Sequence, residues 1–189
     1  MQNVRVFFEK TGMTKYISHL DLMRCMTRAI KRAAIPAWYT EGFNPHLFIT
    51  FALPLTLGVE SLCESMDIRL TEEMGFEEVK NRLNVNLPDG IRITNVAVPV
   101  YKANDIAFAE YKITFHTRKN EKIKNEIEEK LLCDELLAEK MGKQGKRKVL
   151  KTINLKEFVN SYSVISLNDK TVLTAAVSYT HLRAHETTL

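Results

Sequence analysis

Apolar and polar positions along the chain predict alternating strands and helices. Val4 to Lys10 (VRVFFEK) is rich in β-branched and aromatic residues, which predicts a strand ending at Thr11-Gly12. Ser18, with Asp21 three residues on, forms an acidic variant of the capping box and starts a helix from about His19 to Ala34. Leu20, Met23, Ile30 and Ala34, flanked by Leu22, Met26 and Ala33, make its broad apolar stripe at the 3.6 period. Pro36 ends that helix, PAWYTEG reads as a second strand, and the glycine and proline breaks of GFNPHLFITFALPLTLG read as a structured loop. A strand (SMDIRL), a short helix (GFEEVKNRL) and a strand (IRITNVAVPV) follow. The order is that of a split β-α-β, ferredoxin-like unit over residues 1–100.

After Tyr101 the pattern begins again with a strand at AEYKITFHT and a long helix from about Asn120 to Lys140. Ile123, Ile127, Leu131, Leu132, Leu136 and Leu137 form the buried face expected of that helix. A basic loop over residues 142–148 and the segments VLKTINLKEFVNSYSVISL and TVLTAAV continue a second α/β half over 101–177. The expected class is thus α+β, a ferredoxin-like first half and a second half that looks truncated.

Composition narrows the function without naming it. Hydrophobic residues at 45% and charged residues at 26% are the balance of a folded globular chain. No apolar run is long enough for a membrane helix, and the N-terminus lacks a signal-peptide core, so a cytoplasmic location is expected. Cys25, Cys63 and Cys133 stand too far apart for a local CxxC metal or cluster motif, so no metal and no cofactor of its own is expected. A net charge of +4 is too small to argue nucleic acid by itself. Its placement says more, because residues 1–50 hold seven Lys or Arg against Glu9, Asp21 and Glu41.

Arg24, Arg28, Lys31 and Arg32 gather on one side of the first helix, where only Asp21 supplies a counter-charge at i+3 to Arg24. Such arginines suit bidentate phosphate contacts and stacking on bases, and Trp38, Tyr39 and Phe43 lie just downstream as aromatic platforms. His19 opens the helix, where the macrodipole favours its neutral form. If His19 and His46 converge, they and Asp21 are candidates for acid-base work; a helix cap plus a loop-locking histidine is the plainer alternative. Glu41, Gly42, Asn44 and Pro45 belong to a turn whose amides suit an anion, with a purely structural turn as the alternative.

The stretch SHLDLMRCMTRAIKRAAIPAWYTEGFNPHLFITFALPLTLGVES, with VRVFFEKTG before it and CESMDIRL after it, resembles the bacterial radical-SAM-linked domain of unknown function over roughly residues 2–176. Its most specific parts are SHLDLMR, GFNPH and PLTLGVES; the family's usual proline after the GFNPH histidine is Leu47 here. The resemblance implies an accessory protein, in the stand-alone form, of a separate radical SAM enzyme that carries the iron-sulfur cluster and S-adenosylmethionine. With the basic stripe, it suggests a module presenting tRNA or rRNA for modification. The alternatives are an independent enzyme or small-ligand domain using His19, Asp21 and His46, and a protein-only docking subunit. The final residues, SYTHLRAHETTL, resemble a translated sequencing-adapter tail, so 178–189 is expected to be non-native and His181 and His185 are set aside as zinc ligands.

Overall fold

A computed structural model describes the backbone of residues 1–117, 119–144 and 147–178, with the side chains of all these except 140, 143, 144, 147 and 148. The chain forms two compact units, Met1–Asp105 and Ile106–Leu189, in an α+β fold.

In the first unit β1 (Gln2–Lys10) leads through a 3-10 turn at Gly12–Tyr16 into α1 (His19–Arg32). There follow β2 (Ile49–Phe51), β3 (Ser61–Leu70), α2 (Phe76–Asn86) and β4 (Ile91–Ala97). The strand order β2-β3-β1-β4, every neighbouring pair antiparallel, is the split β-α-β arrangement. Burial alternates strictly along β1, so that Val4, Val6 and Phe8 face both helices while Arg5 and Phe7 face the other way. On that other face Arg5 grips Asp67 of β3, directly opposite in register, with two bonds of 2.7 and 2.8 Å.

The Ser18 cap forms as the sequence indicates. Its hydroxyl accepts from the Asp21 N–H at 3.1 Å and donates to the Asp21 carboxylate at 2.7 Å. The helix stops at Arg32, two residues before the expected end, because Ala33 caps it and Ala34 turns to φ +48 ahead of Pro36. Its buried stripe is Leu22, Met26, Ala29, Ile30 and Ala33; Leu20 and Ala34, expected in the stripe, are exposed.

The strand expected over PAWYTEG does not form. That segment makes only isolated bridges, Ala37 to Leu70 and Tyr39 to Leu47, and the second strand is the three-residue Ile49–Phe51 inside the expected loop. So short a strand, closed off within three residues by Pro54, carries too few positions for a period to show.

The second unit comprises β5 (Phe108–His116), α3 (Asn120–Leu132), β6 (Leu137–Gln144), β7 (Arg147–Asn154), β8 (Val159–Leu167) and β9 (Lys170–Ser178). The helix expected to reach Lys140 ends at Leu132, and the expected basic loop over 142–148 falls on the paired strands β6 and β7, apart from 145 and 146, which lie outside the described residues. Asn154 enforces the break: its side-chain oxygen accepts from the Leu136 N–H at 2.9 Å, turning the chain into β6. The three-stranded sheet runs β5-β9-β8. It repeats β1-β3-β2 of the first unit in connectivity and order, with the β6-β7 hairpin set between the helix and the second strand. Among the described residues nothing corresponds to α2 and β4. The expected non-native tail, 178–189, lies outside the described residues except for Ser178, which ends β9 opposite Phe108.

Candidate functional site: an arginine groove beside the first helix

Arginines at positions 24, 28 and 32 recur every four residues, so each stands about 6 Å further along α1 on nearly one line. All three are exposed. Together with the end of α2 and its exit, Val85 to Pro88, they line a groove of about 660 Å³ with half-buried Cys25 between them. Each is held differently. Arg24 pairs with Asp21 at 3.0 Å, and the Ser18 hydroxyl and Arg24 together hold the Asp21 carboxyl below its ordinary range. Arg32 donates to the Asn86 carbonyl at 2.6 Å, a cation on an orphan acceptor at the end of α2. Arg28 makes no hydrogen bond or ion pair among the described residues, leaving its five donors to solvent or ligand.

Lys31 does not belong to this line. Its ammonium lies 5.5 Å from the Tyr39 ring, because position 31 is rotated away from 28 in the opposite sense to 32. Trp38 is likewise engaged, packed 5.6 Å from Phe48 with the Arg69 guanidinium 5.1 Å from its ring. Two of the three expected base platforms are therefore occupied by cations from the chain itself. Phe43 alone is wholly exposed.

His19 and His46 are not brought together. His46 sits in the exposed turn 41–46, where its Nδ1 lies 2.9 Å from Thr40 Oγ1 and 3.2 Å from the Asn44 carbonyl. Its backbone N–H donates to Thr40 Oγ1 at 3.1 Å. This is a loop-locking histidine, and it closes a turn in which Gly42 takes φ +125, a region other residues rarely enter. The turn springs from Tyr39, which meets Lys31 near the end of α1. His19 opens the same helix, about 18 Å away along its axis. No contact joins either histidine to the other, and no cluster of three His, Cys, Asp or Glu side chains suited to a metal occurs among the described residues.

His19 instead belongs to a buried ionisable cluster that its own motif does not announce. Its ring packs edge-on against Phe51 with centroids 5.1 Å apart, and its Nδ1 is buried with no partner. Burial, then the nearby Lys10 charge, lowers its pKa. Lys10 is only 1% exposed and Glu64 only 6%. Burial lowers the Lys10 pKa and raises that of Glu64, each partly offset by the other's charge. The Lys10 ammonium reaches the Lys15 and Ile17 carbonyls at 3.4 Å each, tying the lead-in of α1 to the sheet. A signal for both was present: Lys10 is in phase with Val4, Val6 and Phe8, and Glu64 with Met66, Ile68 and Leu70.

The chain belongs to a family of uncharacterized proteins conserved in bacteria, DUF2344, whose model matches residues 3–188. No curated protein matches it. No helix among the described residues is long and apolar enough to cross a membrane.

Proposed function

We propose that this chain is a cytoplasmic accessory module that binds RNA along the arginine line of α1 and presents it to a separate radical SAM enzyme. The observation that carries the reading is the groove itself: three arginines at one-turn intervals, one of them with no hydrogen bond or ion pair among the described residues, against a single lining carboxylate, Asp21, which Arg24 engages. Their spacing is close to that of neighbouring phosphates along an RNA strand, and guanidinium groups bind phosphate bidentately. The SHLDLMR and GFNPH resemblance supports the radical SAM partner, which would bring the iron-sulfur cluster, S-adenosylmethionine and the chemistry; tRNA or rRNA would be the substrate. An enzyme built on His19, Asp21 and His46 has less support, because the two histidines stand at opposite ends of α1.

Phe43 favours protein docking as a second role within the same reading. A fully exposed aromatic side chain on a turn pinned by Thr40 and His46 is a pre-organised anchor of the kind that dominates protein interfaces.

The test is binding of mixed tRNA and rRNA fragments to the full chain, beside an Arg24→Glu, Arg28→Glu, Arg32→Glu variant and a Phe43→Ser variant, each checked for folding by circular dichroism. The triple variant should lose RNA affinity at least about a hundredfold, since each contact is reversed in sign. Phe43→Ser should keep RNA affinity and lose co-purification with a radical SAM enzyme. A folded triple variant that binds RNA as the parent does would overturn the reading.

A further inference from the structure

The second unit carries a two-stranded ribbon that the first lacks, and the charges on it work against its own stability. Among the described residues β6 and β7 pair only with each other, through eight rungs from Leu137 opposite Asn154 to Gln144 opposite Arg147. Five residues of these two strands are lysine or arginine, against Glu139 as the one acidic residue. The register sets Lys140 directly opposite Lys151 and Lys143 directly opposite Lys148. Like charges on facing positions destabilise a ladder, and a two-stranded ribbon is marginal in water to begin with. Conflicts of this kind between local chemistry and fold are expected at functional sites.

The distribution of those charges selects the ligand. Facing positions share a side of the ribbon and sides alternate along each strand, so positions 140, 147 and 151 fall on one side and 143 and 148 on the other. A ribbon that lies on an anionic membrane keeps one side apolar and uncharged. Here both sides carry cationic positions, and the exposed Met141 and Leu150 share a side with 143 and 148, which suits a strand pair set among phosphates. Gly142 adds a local device. A Cβ there would lie 3.0 Å from Lys151 Cδ and 3.2 Å from its Cε, so the bare backbone lets the exposed Lys151 lay its stem across β6, toward the Gln144–Arg147 end and away from Lys140.

We infer that the β6-β7 ribbon is a second RNA-binding element, which grips the phosphate backbone irrespective of base sequence. The inference rests on the reading that RNA is the ligand of this chain, and it adds a site in the other unit. Phosphates that neutralise the facing lysines also relieve their repulsion, so bound RNA tightens the ribbon itself.

The test uses the full chain across a salt series, beside a ribbon variant, Lys143→Gln, Lys148→Gln, Lys151→Gln, and the triple arginine variant of α1. The ribbon variant should lose RNA affinity at least about tenfold at low salt, with a salt slope shallower by about 2 to 3 because three phosphate contacts are gone. Without RNA, its β6 and β7 amides should exchange about two- to fivefold more slowly than in the parent, because both like-charged pairs are broken. Weaker binding accompanied by faster exchange would overturn the inference, since the lysines would then be holding the ribbon together. A ribbon variant that binds as the parent does, while the arginine variant does not, would overturn it and leave the α1 site standing. The reverse pattern would support the ribbon and remove the α1 site. A parent that binds no RNA but binds phosphatidylserine vesicles, or binds neither, would overturn both.

Discussion

The two units share a plan and differ in how they are filled. The first closes nineteen buried apolar residues into one cluster between its four strands and two helices. The second, among the described residues, buries only Leu131, Val172 and Ala175 to the same degree, while Ile113, Leu132, Ile165 and Leu167 stay largely exposed. A helix and a strand, α2 and β4, account for part of the contrast: Val79, Leu83, Ile91, Ile93 and Val96 come from them, and nothing among the described residues of the second unit is equivalent. A sheet covered by a single helix cannot remove its apolar face from water. Stability follows burial at about 25 cal/mol per Å², so the first unit is the rigid platform and the second the soft one. The arginine groove is built wholly on the platform, between α1 and the end of α2.

Core truncation sharpens that contrast most. Phe8→Ala, at a fully buried position in the middle of the first core, should cost about 3 to 5 kcal/mol. Leu131→Ala, at the thin rim of the second, should cost under about 2 kcal/mol because its surroundings can collapse. Urea unfolding followed by hydrogen exchange at the amides of each unit separates the two effects. Equal costs would break the comparison.

A smaller effect concerns the lead-in to the site. Gly90 sits at φ +88, and a Cβ there would lie 2.6 Å from the Thr11 carbonyl and 2.9 Å from the Thr14 methyl. The Thr14 hydroxyl meets both the Thr11 and Gly90 carbonyls, so this contact anchors the 3-10 turn over the end of the sheet. Gly90→Ala should cost about 1 to 3 kcal/mol and loosen the amides of residues 11–17 before those of the second unit change. A variant with parent-like exchange across that turn would show that the anchor does not matter.

The smallest effect is on pH dependence. His19 has a folded pKa below its ordinary 6.5, lowered first by burial and then by Lys10. The unfolded chain therefore takes up the proton first, and stability falls as pH drops below about 6.5. His19→Gln should remove that share, a few tenths of a kcal/mol because the ring is only half-buried and solvent screens it. Glu64 works in the opposite sense, since its raised pKa makes the folded state hold its proton more tightly as pH falls. Between about pH 7 and about pH 5.5 the denaturation midpoint of the variant should therefore shift toward greater acid stability than that of the parent. An unchanged difference would remove His19 from the buried cluster.

How much of this was legible in the sequence depended on range. The Ser18 cap, α1, α2 and the strands β1, β3 and β4 rest on local chemistry and a clear period, and they stand in the structure nearly as read. β2 was hidden because three residues cannot display alternation. The end of α3 was missed because Leu136 and Leu137 continue the helical stripe on paper, while a tertiary partner, Asn154, turns them into a hairpin. The arginine spacing was readable, but the partition of its members was not. Arg32 onto Asn86 and Lys31 onto Tyr39 are contacts across the fold, and they leave Arg28 as the most available donor.

Arg28 is therefore where the account is tested most directly. RNA affinity should be measured from low to moderate salt for the parent chain and for Arg28→Gln, and the logarithm of affinity plotted against that of salt. A phosphate contact at Arg28 predicts that the variant's slope is shallower by about 0.7 to 0.9, with weaker binding at low salt. Parallel lines of equal affinity, from a folded variant, would mean that no phosphate meets Arg28 and that the groove is not the RNA site.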